Sequence, residues 1–340
     1  MRVKLTFALL IVLTLLGGLN LYESLKNRLL PEYQHEEMTA VKEYAPSTPL
    51  STGYAADGVM MDERFKVSSG DALDISVQHS DVRIETDATN EARIIITLEG
   101  HDMELAQAYF EEMHFTIAQE GNTIHVRTDR SSNHGWSFSG NGGAHIQVVA
   151  HIPRRFDAEI KTSHGNVQLG DLEGSLDLNT SHGDVTATTL SGPLMELTTS
   201  HGKVRAEALT SDELRVTTTH GDIQVARVES GYFTAQTSHS DVDIDQLHGP
   251  SKINTSHGDI RIRLDQSADT QLRTSHGSIE ITAPSNLAAE LDLKGERVHL
   301  SSSFSFVGTL EKDRAEGRLG AGGARIDAQT SHGDVTIKQQ

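Results

Sequence analysis

Apolar and polar residues alternate with a period of two in short runs along most of the chain, and the runs themselves repeat. KINTSHGDIRIR at 252–263 has near copies in EIKTSHGNVQL, LDLNTSHGDVTA, MELTTSHGKVRA, LRVTTTHGDIQV, FTAQTSHSDVDI, TQLRTSHGSIEI and ARIDAQTSHGDVTI. Aligned on the histidine, three columns are apolar in every copy. Four residues before it stand Ile160, Leu178, Leu197, Val216, Ala235, Ile253, Leu272 and Ala328. Three after it stand Val167, Val185, Val204, Ile223, Val242, Ile260, Ile279 and Val335, and five after it Leu169, Ala187, Ala206, Val225, Ile244, Ile262, Ile281 and Ile337. Such alternation describes strands with one buried and one wet face. Each copy therefore reads as two short strands about an SHG turn.

The histidines are His164, His182, His201, His220, His239, His257 and His276, at intervals of 18 or 19 residues, with His332 a further 56 residues on. Near-constant spacing with the same turn chemistry predicts coils stacked in parallel, each burying its apolar side against its neighbours. The fold class expected is all-β, a right-handed single-stranded β-helix or β-solenoid with an N-terminal cap containing both helix and strand; strand twist and crossover handedness set the hand. An antiparallel hairpin array or sandwich is the competing architecture. Read as three intervals, the final gap holds two degenerate turns, and nine intervals at about 4.8 Å each make a stack of about 43 Å.

The ends depart from the period. LDISVQHSDVRIE at 73–85 looks like a coil, but His79 lies 85 residues before His164, which is not a whole number of repeats. EARIIITLEG and NTIHVRTDR read as strands, DMELAQAYFEEMHF at 102–115 as a short amphipathic helix, and 303–323 as a lateral loop. Four segments follow: 1–30, a signal anchor or signal sequence; 31–64, a flexible polar linker; 65–155, a β-rich cap with a short helix; and 156–338, the repeats.

Composition narrows the chemistry. A formal charge of −19 repels nucleic acid. With no cysteine, disulfides, thiolate-bound metals and cysteine nucleophiles are excluded. Arg2 and Lys4 precede an apolar stretch from Leu5 to about Leu21, near the lower length limit for a membrane span. The expectation is a single-pass, membrane-anchored protein touching the membrane through this segment, its folded part extracytoplasmic, with a cleaved secreted form as the alternative.

At the turn, glycine allows either positive φ or a close backbone approach, the threonine two residues before the histidine can bond along a stack, and the aspartate two after it can accept turn amides. The histidines His164, His182, His201, His220, His239, His257, His276 and His332 would form a ladder at one corner. Such a ladder is a structural row first, but imidazoles also suit Zn, Cu or Ni provided that their lone pairs converge. No cofactor is otherwise predicted. Repetition of Asp184, Asp222 and Asp259 along the rows looks like turn chemistry rather than one differentiated active site, so no catalytic residue is assigned. In NHGWSFSGNGG at 133–143, Trp136 and Phe138 are the candidates for partner contact.

The TSHGDV and TSHGDI repeats, LAQAYFEEMHF, HIPRRFDAEIKTSHGNVQL and the closing GGARIDAQTSHGDVTI together resemble the bacterial DUF4097 family of candidate adhesins, over about residues 65–338. The resemblance implies a right-handed β-helical domain, often associated with the cell envelope, and carries over no catalytic residue. Many family repeats place a small polar residue where this chain places histidine. The function expected is a noncatalytic, extracytoplasmic adhesin-like or envelope scaffold protein whose partner is an envelope protein or glycan. A carbohydrate-active enzyme acting on an extracellular or envelope polysaccharide, and a metal-binding histidine ladder, are the alternatives.

Overall fold

The computed structural model describes residues 58–129 and 143–340. These residues are mostly β-strand, with one helix toward the N-terminus. The alternating columns do become buried faces: Ile160, Leu178, Leu197, Val216, Val185, Val204, Ile223 and Val242 are all fully shielded from solvent. Neighbouring copies pair in parallel with an offset of one repeat, as in Val185 opposite Val204 and Val204 opposite Ile223. Like therefore packs on like, and each rung of the stack buries its apolar side against the rungs above and below.

Two excursions interrupt the series, and both correct the sequence reading. The strand Ala72–Val77 pairs in parallel with Asp157–His164, placing Leu73 opposite Ala158, and Ser80–Asp87 pairs with Val167–Leu169. Residues 72–87 thus form a rung directly against the first repeat. The 85-residue interval is not a multiple of the period because the chain leaves to build the strands Glu91–Glu99, Phe115–Glu120, Thr123–Thr128 and His145–Pro153 on the far side of that rung. The strand Val59–Lys66, which begins inside the stretch read as linker, pairs antiparallel with Glu91–Glu99.

At the other end Thr270–His276 pairs directly with Ala324–His332. The 56-residue gap holds no intervening rungs, so seven steps, not nine, separate His164 from His332. The strand Ala289–Lys294 lies on the outer side of Ala324–His332, and the region expected to be a lateral loop is an antiparallel hairpin, Phe306–Leu310 with Arg314–Leu319, that continues from it. Antiparallel strands thus extend the series at both ends.

The helix Met103–Glu112 starts where expected. Asp102 caps it by accepting from the Leu105 N–H at 3.2 Å, and its inner face buries Ala106 and Phe110. Ten residues rise about 15 Å, half of a hydrocarbon core of about 30 Å. Among the described residues no helix is long and apolar enough to cross a membrane. That finding corrects the expectation of a transmembrane signal anchor, a membrane contact and a single-pass localisation; the apolar stretch Leu5–Leu21 on which it rested lies outside the described residues.

Candidate functional site

Each SHG turn is held by the same set of bonds to the rung before it. The threonine column is buried, and every hydroxyl in it donates to the backbone carbonyl of the preceding turn: Thr199 to Gly183 at 3.1 Å, Thr218 to Gly202 at 3.0 Å, Thr274 to Gly258 at 3.0 Å and Thr330 to Gly277 at 2.8 Å. Burial of a hydroxyl is costly unless it is bonded, and here each is. The glycine's role is also settled. A Cβ at Gly202 would lie on the carbonyl oxygen of Gly183, and one at Gly221 on that of Gly202, far inside van der Waals contact. Close approach of stacked backbones, rather than a left-handed conformation, excludes side chains there.

With backbones this close, the histidines have one arrangement available. His164, His182, His201, His220, His239, His257, His276 and His332 stack face to face in a single column, ring centroids 4.5 to 5.4 Å apart and planes 2° to 5° from parallel. His79 extends the column, 4.7 Å from His164 and 4° from parallel. Spacing arithmetic missed His79; the HSD of LDISVQHSDVRIE was the signal that could have found it. The eight from His164 onward are exposed. Partial desolvation against the stacked neighbours, and secondarily the charge of His182, push the His164 imidazole below its ordinary range although the residue is exposed.

Parallel stacking decides what the column can ligate. A ring nitrogen's lone pair lies in the plane of its ring, and planes this nearly parallel do not meet between the rings. Two nitrogens on one Zn, at about 2.0–2.1 Å each, would have to aim at a common point. As stacked, adjacent histidines offer one ligand each and no chelate. Among the described residues no cluster of three or more His, Asp or Glu side chains could hold a metal ion.

Beside the histidines runs the column two residues later. Its carboxylates accept the backbone N–H of the next rung: Asp184 from Lys203 at 2.8 Å, Asp241 from Asp259 at 2.8 Å and Asp259 from Ser278 at 2.8 Å. Carboxylates of this column also pair with cations: Asp222 with Lys203 of the same column at 2.8 Å, Asp241 and Asp259 with Arg261 on the following strand, and Asp334 with Arg297 at 2.9 Å. Histidines that pair with carboxylates, His125, His145, His151 and His248, stand outside the column. From His164 to His332, no column histidine has a carboxylate partner. Trp136 and Phe138 lie outside the described residues.

A family model described as Toastrack DUF4097 matches residues 71–338. Among solved structures, the chain is similar to a candidate adhesin of Bacteroides fragilis, with 14% identity, 82% of this chain and 96% of that one covered, and a TM-score of 0.40. It is similar too to a candidate lipid-binding protein of Parabacteroides distasonis, with 15% identity, coverage of 82% and 96%, and a TM-score of 0.43. A candidate adhesin of Parabacteroides merdae shows 17% identity, coverage of 65% and 95%, and a TM-score of 0.33. No curated protein matches the chain. Likenesses this distant say nothing about what the chain binds.

Proposed function

The chain belongs to the Toastrack DUF4097 family, and from that premise we propose that it is a noncatalytic, adhesin-like interaction protein whose rungs wind as a right-handed single-stranded β-helix. Parallel pairing at an offset of one repeat supports the winding, and the right-handed twist of strands and crossovers supports the hand. The observation that carries the function is repetition itself. A glycosidase or lyase needs an acid and a base that differ from their surroundings in position and environment. In the column every rung presents the same imidazole at the same place, and the aspartates beside it are committed to backbone amides and to arginine or lysine. An extended, regular surface suits multivalent contact with a repeating partner.

The test is to pass the full chain, at pH 7.5 and again at pH 5.5, over immobilised polysaccharides and purified cell-wall material, reading retention by surface plasmon resonance and cleavage by release of reducing ends. Saturable retention without release supports an interaction protein. Release of reducing ends, or no retention on any surface, contradicts it.

A further inference from the structure

The histidine column is a straight line of titratable groups with a fixed repeat. Imidazoles as a class gain charge as pH falls below about 6.5. Here the resulting charges would lie on exposed rings spaced 4.5 to 5.4 Å apart. What surrounds the line determines whether that charge is cancelled. On the turn side the acidic neighbours are Asp81, Asp184, Asp222, Asp241, Asp259 and Asp334, with Lys203 among them. Five of the carboxylates already face arginine or lysine: Asp184 pairs with Arg205 at 3.5 Å, and the other four are those described above. Asp81 faces His145 at 3.5 Å. On the strand side, the charged residues three before the histidine are Lys161, which pairs with Glu159, and Arg273, which pairs with Asp327. Positive charge arriving on the column therefore meets carboxylates that are already paired, although Asp241 and Asp259, with Asp243, share the one Arg261, and it forms a line of cations on a protein that is otherwise strongly acidic.

We propose that this strip is an acid-dependent binding site for a linear anionic polysaccharide, a polyuronate with one carboxylate per sugar. The claim rests on the interaction-protein reading above and names the partner of its repeated surface. Two features favour this occupant. A linear polyuronate carries a carboxylate on every sugar along an extended chain, so several carboxylates can engage several imidazoles of the line at once and gain from multivalency. Duplex DNA, by contrast, carries one charge per about 1.7 Å of axis and matches neither the repeat nor the single line. At neutral pH the formal charge of −19 repels any polyanion. A carboxylate, with an ordinary pKa of about 3–4, stays ionised at the pH where imidazoles charge.

The experiment measures binding of polygalacturonate to the full chain at pH 7.5 and pH 5.5, at low and high salt. Neutral dextran, polyphosphate and duplex DNA serve as comparison ligands, and circular dichroism checks folding at each pH. The variant is His201→Gln/His220→Gln/His239→Gln, with the single His220→Gln as a milder second. The expected result is at least tenfold tighter binding of polygalacturonate at pH 5.5 than at pH 7.5, weakened by salt. In the triple variant most of that gain is lost, in the single variant a smaller part, and dextran does not bind. Binding equal at both pH values, binding unchanged in a folded triple variant, polyphosphate or DNA preferred over polygalacturonate, or acid unfolding that polygalacturonate does not prevent would each overturn the assignment. Retention on some other surface at pH 7.5 alongside such a failure would sink the strip and leave the interaction-protein reading standing.

Discussion

At the scale of single residues, the SHG turn works by subtraction. Glycine removes the atom that would hold two backbones apart, and threonine supplies the donor that the exposed carbonyl then needs. Replacing Thr199 with valine keeps the shape but leaves the Gly183 carbonyl without its hydroxyl donor, at a cost of about 1–3 kcal/mol. Thr199→Ser keeps the donor and should retain most of the stability; urea midpoints for the two variants check the difference, and equal losses would count against the bond. His164 adds a pH dependence of definite sign. Partial desolvation, then His182, hold its folded pKa below the ordinary value, so between the two values the unfolded chain binds more protons. Stability is therefore full above about pH 6.5 and erodes as pH falls through that value toward the lowered one. His164→Gln should flatten part of the fall in urea midpoint between pH 7.5 and pH 5.5, and an unchanged slope would contradict this. These roles are partly legible in the sequence: the unbroken threonine column and the glycine column, broken only by Ser240, mark hydroxyl bonding and tight turns. What the string of letters could not show was which of glycine's two freedoms was in use, because that depends on how near the adjacent rung lies.

At the scale of elements, the rung is the unit. Its strands carry apolar residues at alternate positions, and equivalent residues stack across rungs, as Leu197 does on Val216. Removing whole rungs should therefore preserve register, whereas removing part of one should not. Deleting Lys203–Gly221, one 19-residue repeat, joins Gly202 to Asp222 and places Val185 against Ile223. That variant should remain folded, with a cooperative urea transition at lower denaturant. Deleting Lys203–Asp212 alone brings mismatched positions together and should abolish the cooperative transition, with circular dichroism as the readout. Strands that pair in parallel at an offset of one repeat are legible wherever the period is constant. The period failed where the chain departed to build antiparallel strands, since an excursion adds residues without adding a rung. Hence His79 stood apart in sequence and stacks in space, and the gap before His332 seemed to hold turns that do not exist.

At the scale of the whole described unit, the central claim is that one column of histidines runs unbroken from His79 to His332 although its members are separated by unequal stretches of chain. The proposed polyanion strip needs that continuity, because a break at either excursion would shorten the line. A chain without cysteine allows a direct test by introducing pairs. Residues facing each other on adjacent parallel strands lie within the Cα separation a disulfide accepts, about 4.4–6.8 Å. The measurement is disulfide formation in His276→Cys/His332→Cys, with His257→Cys/His332→Cys as the control two rungs apart, read by peptide mapping under non-reducing conditions. Rapid, near-complete intramolecular linkage is expected in the first pair and little in the control. A first pair that stays reduced, or links no faster than the control, would mean that other chain lies between those rungs, and the continuous column would be wrong.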